Sequence, residues 1–237
     1  MSVVLEARDL TVGYGALAVA RHLSFEVEAG RVLLILGPNG AGKTTTLLTL
    51  AGARRQLAGD VLFSGQVVTS PLHRRVKDGL AFVRDEGGAL SSLTVDENLR
   101  LCPGDPDRAL ELFPELEEHR KRRAGLLSGG QQKMLALALA LSSSPKVLLA
   151  DELSLGLAPK IVDRLLDAAV ASAKQAGAGV VLVEQHAHQA LGIADDVVLL
   201  LHGKIAMAGP VSEIRADLER VLASGYLDTR ETAPVTT

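Results

Sequence analysis

Apolar residues follow two rhythms along this chain. Short, nearly continuous runs of Val, Leu and Ile at 31–36, 146–151, 179–183 and 197–201 predict strands buried on both faces. Longer stretches at 96–101, 108–122, 131–141 and 161–175 predict helices, the first two rich in Glu and Arg. The N-terminal part reads as short strands at 3–7, 10–14, 23–27 and 61–63, punctuated by Gly13, Gly15 and Ala29-Gly30. Strands alternating with helices predict an α/β fold with a mainly parallel core sheet covered on both faces. The helical texture of 85–145 interrupts that alternation. It predicts an inserted helical subdomain between core segments 1–84 and 146–227 of one domain, with 228–237 as a frayed tail. No internal repeat is visible.

Composition narrows the picture. Hydrophobic residues make up 47% of 237 residues, enough for one medium domain with a sizeable core. Trp is absent and Phe and Tyr are few, so that core is aliphatic. A net charge of −3 with interspersed signs predicts no nucleic-acid partner. The single cysteine, Cys102, excludes an internal disulfide and a multi-cysteine metal site, and is expected as a free, half-buried thiol. Residues 1–8 lack the basic head and apolar centre of a signal peptide. The longest apolar run, 134–141, is far too short to span a bilayer. The expectation is a soluble cytoplasmic protein whose membrane role, if any, comes through a partner chain.

Chemistry concentrates in three strings. Gly37-Pro38-Asn39-Gly40-Ala41-Gly42-Lys43-Thr44-Thr45 lies between the strand at 32–36 and a helix-compatible stretch at 45–50, with the G-x-x-x-x-G-K-[ST] spacing of a P-loop. Its glycines let backbone N–H groups turn inward around a phosphate chain, and the helix N-terminus adds a positive dipole end. Lys43 reaches the outer phosphates, and the Thr44 hydroxyl is placed for Mg²⁺. In the second string, the strand 147–151 ends in Asp151, followed by Glu152. Downstream of a P-loop, Asp151 is expected to hold Mg²⁺ and Glu152 to face the attacking water as general base. The third, Leu127-Ser128-Gly129-Gly130-Gln131, opens a helix. It reads either as an ordinary N-cap with a flexible turn or as a second anion cradle, one that works in trans.

LSGGQ ahead of an Asp-Glu strand, with a P-loop upstream, resembles the nucleotide-binding domain of ABC transporters, over residues 5–227. The resemblance implies a P-loop NTPase core, an N-terminal antiparallel β subdomain and an inserted helical subdomain, with ATP and Mg²⁺ as cofactors. It implies head-to-tail pairing with a second ABC ATPase subunit, equal or different. Ser128, Gly129, Gly130 and Gln131 would then face the γ-phosphate held by the opposite chain. Tyr14 matches the aromatic that stacks on adenine, although a strand-edge tyrosine has the same appearance. Ser154-Leu155-Gly156-Leu157-Ala158 matches a dimer-contacting loop. The strings at 91–99, 112–116, 154–159, 182–186 and 225–227 are similar to the ATPase subunits of branched-chain amino-acid importers and of relatives carrying urea or amides. Permease subunits and, indirectly, an extracytoplasmic binding protein are the implied partners, with the chain on the inner face of the membrane.

The chain departs from the general pattern. Asp85, or Glu86 one residue on, stands where most of the family has a glutamine, and a carboxylate there could ligate Mg²⁺. The switch histidine falls on Gln185, with His186 next to it; either is open for the γ-phosphate contact. Leu153 replaces a proline and Leu139 an arginine. These departures leave two further readings: an ATP-binding switch with weak hydrolysis, and a soluble ABC protein outside transport.

Overall fold

The computed structural model describes residues 2–85, 88–184 and 187–223. The chain starts with an antiparallel pair, β1 (Val3–Tyr14) and β2 (Leu17–Glu28). Then come β3 (Val32–Leu36), α1 (Lys43–Leu50), β4 (Ala58–Phe63), β5 (Gln66–Val67), α2 (Leu72–Lys77) and β6 (Leu80–Val83). A helical stretch follows: α3 (Val95–Leu101), α4 (Pro106–Leu112), a 3₁₀ segment (Pro114–His119) and α5 (Gly129–Ser142). The chain returns through β7 (Val147–Asp151), α6 (Pro159–Lys174), β8 (Gly179–Val183), α7 (Ala187–Leu191), β9 (Asp196–Leu201), β10 (Lys204–Pro210) and α8 (Val211–Ala223).

Two sheets result. One is antiparallel, in the order β2-β1-β4-β5; the other runs β10-β9-β3-β8-β7-β6 and is parallel except for β10 at its edge. Alternation along the parallel strands divides the core. Val32, Leu34 and Leu36 face one side with Leu148, Leu182 and the helices α5 and α6. Leu33 and Ile35 face the other with Leu149, Val181, the antiparallel sheet and Leu47 and Leu50 of α1. Both faces are covered, which is why these strands are continuous apolar runs.

The helix expected at 108–122 is two pieces. Pro114 lacks an N–H and disfavours the helical conformation at Phe113, so α4 ends at Leu112 and a 3₁₀ segment begins at Pro114. The strands expected at 3–7 and 10–14 form one strand, β1, whose pairing with β2 shifts between Ala7 and Leu10 around Asp9, at φ 45°. Sequence periodicity did not reveal α2, β10 or α8. Cys102 is a free, half-buried thiol as expected, and its Sγ donates to the Leu139 carbonyl at 3.1 Å. The tail at 228–237 lies outside the described residues. Among those described, no helix is long and apolar enough to cross a membrane.

The eight-residue helix α1 is too short to persist alone. Arg75 of α2 anchors its C-terminal end from inside the protein. Its guanidinium is buried and donates to Leu50 O (2.7 Å), Thr49 O (3.3 Å), Ser70 O (2.8 Å) and Val68 O (3.1 Å). Arg75→Met should therefore destabilise the fold by about 2–4 kcal/mol, because it strands buried carbonyls. Arg75→Lys should recover only part of that loss, since an ammonium cannot span the same fork. Urea unfolding of the three proteins measures both effects.

Candidate nucleotide-binding and hydrolysis site

β3 delivers the chain into the glycine loop at the centre of the parallel sheet. Gly37 packs so closely on β9 that a Cβ there would run into the Leu200 carbonyl. Gly42, the N-cap of α1, sits at φ 100°, a left-handed conformation that favours glycine, and has no side-chain cap. The uncapped start of α1 thus points its first N–H groups at the loop, as anion binding requires. Lys43 is buried. Its Nζ donates to Gly37 O (2.7 Å) and Pro38 O (3.1 Å), which folds it back over the loop. Burial lowers its pKa, while the charges of Glu152 and Asp151 oppose that shift.

A cavity of about 420 Å³ opens over this loop, lined by Asn39, Gly40, Lys43, Thr44, Tyr14 and Glu152 among others. Thr44 Oγ1 donates to Asp151 Oδ1 at 3.3 Å, and Thr45 Oγ1 donates to the Tyr14 hydroxyl at 3.3 Å. The Tyr14 ring is 47% exposed, and Arg54 stacks on it with its guanidinium carbon 3.9 Å from the ring centroid.

Asp151 ends β7, next to β8, and is buried. Burial pushes its carboxyl pKa up to about 6; the charges of Glu152 and Asp85 add to the rise, and Thr44 and Lys43 oppose it. Glu152 follows in a left-handed conformation, φ 49°, with its N–H donating to Val183 O at 2.9 Å. Asp85 leaves the end of β6 and accepts from Lys133 Nζ of α5 at 2.9 Å. Lys133 Nζ also donates to Glu152 O at 3.0 Å. Gln185, His186 and Glu86 lie outside the described residues.

Ser128 caps α5 through a capping box. Gln131 N–H donates to Ser128 Oγ (3.3 Å), and Ser128 N–H donates to Gln131 Oε1 (3.0 Å). With its oxygen so engaged, the Gln131 amide donates to His119 Nε2, 2.7 Å away. Ser128, Gly129, Gly130 and Gln131 line a cavity of about 620 Å³ that shares no lining residue with the one over the glycine loop. The structure therefore brings Lys43, Thr44, Asp151, Glu152 and Tyr14 together and leaves the serine-glycine string at a separate site. Leu155, in the loop before α6, is exposed at 42%.

Sequence reasoning missed two functional neighbours. Glu184, at the end of β8, is buried and accepts from Ser154 Oγ (2.5 Å) and Ser154 N–H (3.2 Å); burial raises its pKa. The available signal was an acidic residue ending a wholly apolar strand. Lys133 had no signal of its own, being one cation at the start of a helix.

The residues present fit a nucleoside triphosphate with a hard divalent cation. The loop offers N–H groups, a buried ammonium and space, and a carboxylate beside a hydroxyl is an oxygen donor pair suited to Mg²⁺. Among the described residues, no group of three or more His, Cys, Asp or Glu gathers as a metal cluster.

The family profile described as "ABC transporter" matches residues 20–154, more than half of the chain. The high-affinity branched-chain amino acid transport ATP-binding protein BraG of Pseudomonas aeruginosa is 39% identical over 204 residues, covering 82% of this chain and 87% of its own. The probable branched-chain amino acid transport ATP-binding protein LivF of Archaeoglobus fulgidus is 34% identical over 89% of this chain and 94% of its own. The lipopolysaccharide export system ATP-binding protein LptB of Acidithiobacillus ferridurans is 32% identical over 92% and 94%. Among solved structures, an ABC-transporter cassette in its ADP conformation superposes with TM-score 0.81 at 25% identity, covering 96% of this chain and 98% of its own. A dimeric post-hydrolysis cassette with ADP and phosphate has the same fold, with TM-score 0.77 at 22% identity over 87% and 98%. The α/β architecture, the site and these likenesses agree: the chain belongs to the ABC transporter family, as an ATP-binding, ATP-hydrolysing subunit.

Proposed function

We propose that this subunit energises the import of branched-chain amino acids or of chemically related amides and urea. In this reading it sits on the cytoplasmic face of a membrane, bound to permease subunits, and a binding protein outside the membrane supplies the solute. It pairs head to tail with a second ATPase subunit. The observation that carries the pairing is the pair of disjoint cavities: a phosphate cradle with its carboxylates in one, and the start of α5 in the other. One chain does not close both around one nucleotide, so the Ser128-to-Gln131 edge serves the partner's. The likeness to BraG and LivF carries the substrate class. The chain is read as one ABC domain, with 1–84 and 146–227 as its nucleotide-binding core and 85–145 as the helical subdomain.

The geometry of the described residues supports the following roles. Backbone N–H groups of residues 39–45 bind the phosphates, and Lys43 leaves its loop carbonyls to meet the outer ones. Tyr14 stacks on the base. Thr44 and Asp151 would hold Mg²⁺, which would supply positive charge beside the phosphoryl oxygens. Glu152 orients the attacking water and takes its proton. Gln185 and His186 are the residues proposed to contact the terminal phosphoryl group. Asp85 is the further carboxylate proposed for the metal, and its Oδ1 accepts from Lys133.

Glu152→Gln should lower the ATP turnover rate at least about a hundredfold while ATP binding persists. The variant should run as a dimer with ATP on a sizing column; parent-level turnover would remove Glu152 from its role.

Asp151 yields a pH dependence. Its pKa is about 6 in the folded chain against 3.8 for the free residue. The folded state therefore binds the proton more tightly, and stability falls as pH rises from about 4 to 6. Above that range the ionised, buried carboxylate costs the nucleotide-free protein about 3 kcal/mol. Asp151→Asn should raise unfolding stability by up to about that amount at pH 7.5, and the gain should vanish near pH 4. Denaturant unfolding across pH, without nucleotide or Mg²⁺, measures it.

The substrate class is tested in cells. Deleting the gene should abolish uptake of radiolabelled leucine, isoleucine and valine at low concentration, and the parent gene should restore it. Unchanged uptake together with loss of another solute, or with a lipopolysaccharide defect, would overturn the amino-acid assignment and leave the ATPase assignment intact.

A further inference from the structure

Glu152 is held in an expensive backbone conformation. A non-glycine residue at φ 49° is strained and persists only where its surroundings over-determine it. Two fasteners act on this residue's own peptide groups. Its N–H donates to Val183 O of β8 at 2.9 Å, and its carbonyl accepts from Lys133 Nζ at 3.0 Å. The second is unusual because it comes from a side chain on another element. Lys133 sits in the second turn of α5, the helix that Ser128 opens. Its ammonium is buried and reaches past the helix to the end of β7, where it also pairs with Asp85 at 2.9 Å. One cation thus joins three segments: the loop after β6, the helix opened by the serine-glycine string, and the turn that carries Glu152.

We propose that Lys133 is a positioning residue for ATP hydrolysis: by gripping the Glu152 carbonyl and the Asp85 carboxylate, it holds the left-handed turn that aims the Glu152 side chain into the nucleotide cavity. The pair is only part-buried, Lys133 inside and the Asp85 side chain 37% exposed, so its value lies in specifying a single geometry more than in net stability. Its charge also balances Asp85, which otherwise stands with Asp151 and Glu152 as one of three neighbouring carboxylates. Displacing either α5 or the Asp85 loop pulls on the grip, so the position of Glu152 depends on how the helical stretch is seated. The ammonium touches neither nucleotide nor water in this role; it acts through Glu152.

The inference rests on Glu152 being the hydrolytic carboxylate, and its test separates the two claims. The intact subunit, with its partner ATPase if turnover requires one, is assayed with Mg²⁺-ATP as Lys133→Met, Lys133→Gln and Lys133→Arg. Lys133→Met should lower kcat at least about tenfold and leave KM for ATP within about twofold, the pattern of a contact that matters only in the transition state. Lys133→Arg should return kcat to within about threefold of the parent, because a guanidinium can hold the same two oxygens. If the methionine variant does not fold, the glutamine variant, with a single shorter donor, is read the same way. Parent-level kcat in the folded variants overturns the proposal. So does a loss that appears equally in KM and that Lys133→Arg does not rescue, which marks a structural residue. Parent-level turnover in Glu152→Gln would sink the underlying role of Glu152; parent-level turnover in Lys133→Met beside an inactive Glu152→Gln sinks only the assignment to Lys133.

Discussion

Parallel pairing of β3, β8, β7 and β6 brings four strand ends to one edge of the central sheet, and the functional site depends on that register. Leu36 leads into the phosphate loop, Asp151 ends β7, Val183 precedes Glu184, and Val83 precedes the segment that reaches Asp85. Ligands in open parallel sheets sit outside the carboxyl ends of the strands for this reason. A slip of one residue in any of these pairings would turn the strand's side chains to the opposite face. The apolar residues of these strands, buried on both faces, make such a slip costly.

Holding the site open without its ligand has an electrostatic cost, which falls on Asp151. The carboxylate is buried beside two others of the same sign, with only Thr44 and the desolvated Lys43 to offset it. A cation and a polyphosphate resolve this in complementary ways: the cation stabilises the carboxylate, and the polyphosphate meets Lys43 and the start of α1. The site is therefore built to be most stable when loaded, and ligand binding adds to fold stability by mass action. The short α1 shares in this economy, because Arg75 secures its carboxyl end and the ligand secures its amino end.

Much of this was legible in the sequence because the strongest signals are local. The 37–45 spacing, the apolar strand ending in Asp151-Glu152 and the serine-glycine string each occupy a few consecutive residues, and the parallel sheet followed from uninterrupted Val and Leu runs. What stayed hidden depends on distance or on competition between rules. Pro114 divided a helix that the polar and charged periodicity of 108–122 had suggested was continuous. β10 was missed because it is an edge strand with alternating exposure whose apolar residues, 205–208, include a single β-branched side chain. The Lys133 partner of Asp85 stayed hidden because it lies 48 positions away and nothing in the neighbours of Asp85 announces it. Arg54, the cation on the Tyr14 ring, was equally invisible, being one of a pair of arginines in a turn.

The helix α5 sets the limit on what a single chain can do. Its amino end carries a capping box that satisfies the N–H groups of Ser128 and Gln131, and the first N–H groups of a helix lack partners within it. That end lines its own cavity, while the same helix sends Lys133 to the Glu152 carbonyl beside the glycine loop. The start of α5 and the turn after β7 are thus joined through one side chain. If the start of α5 meets a nucleotide held by another chain, seating that nucleotide bears on the hydrolytic carboxylate of the first. Under the proposed pairing the link needs no long relay: the helix, its lysine and one strained peptide would connect hydrolysis in each chain to the loading of the other.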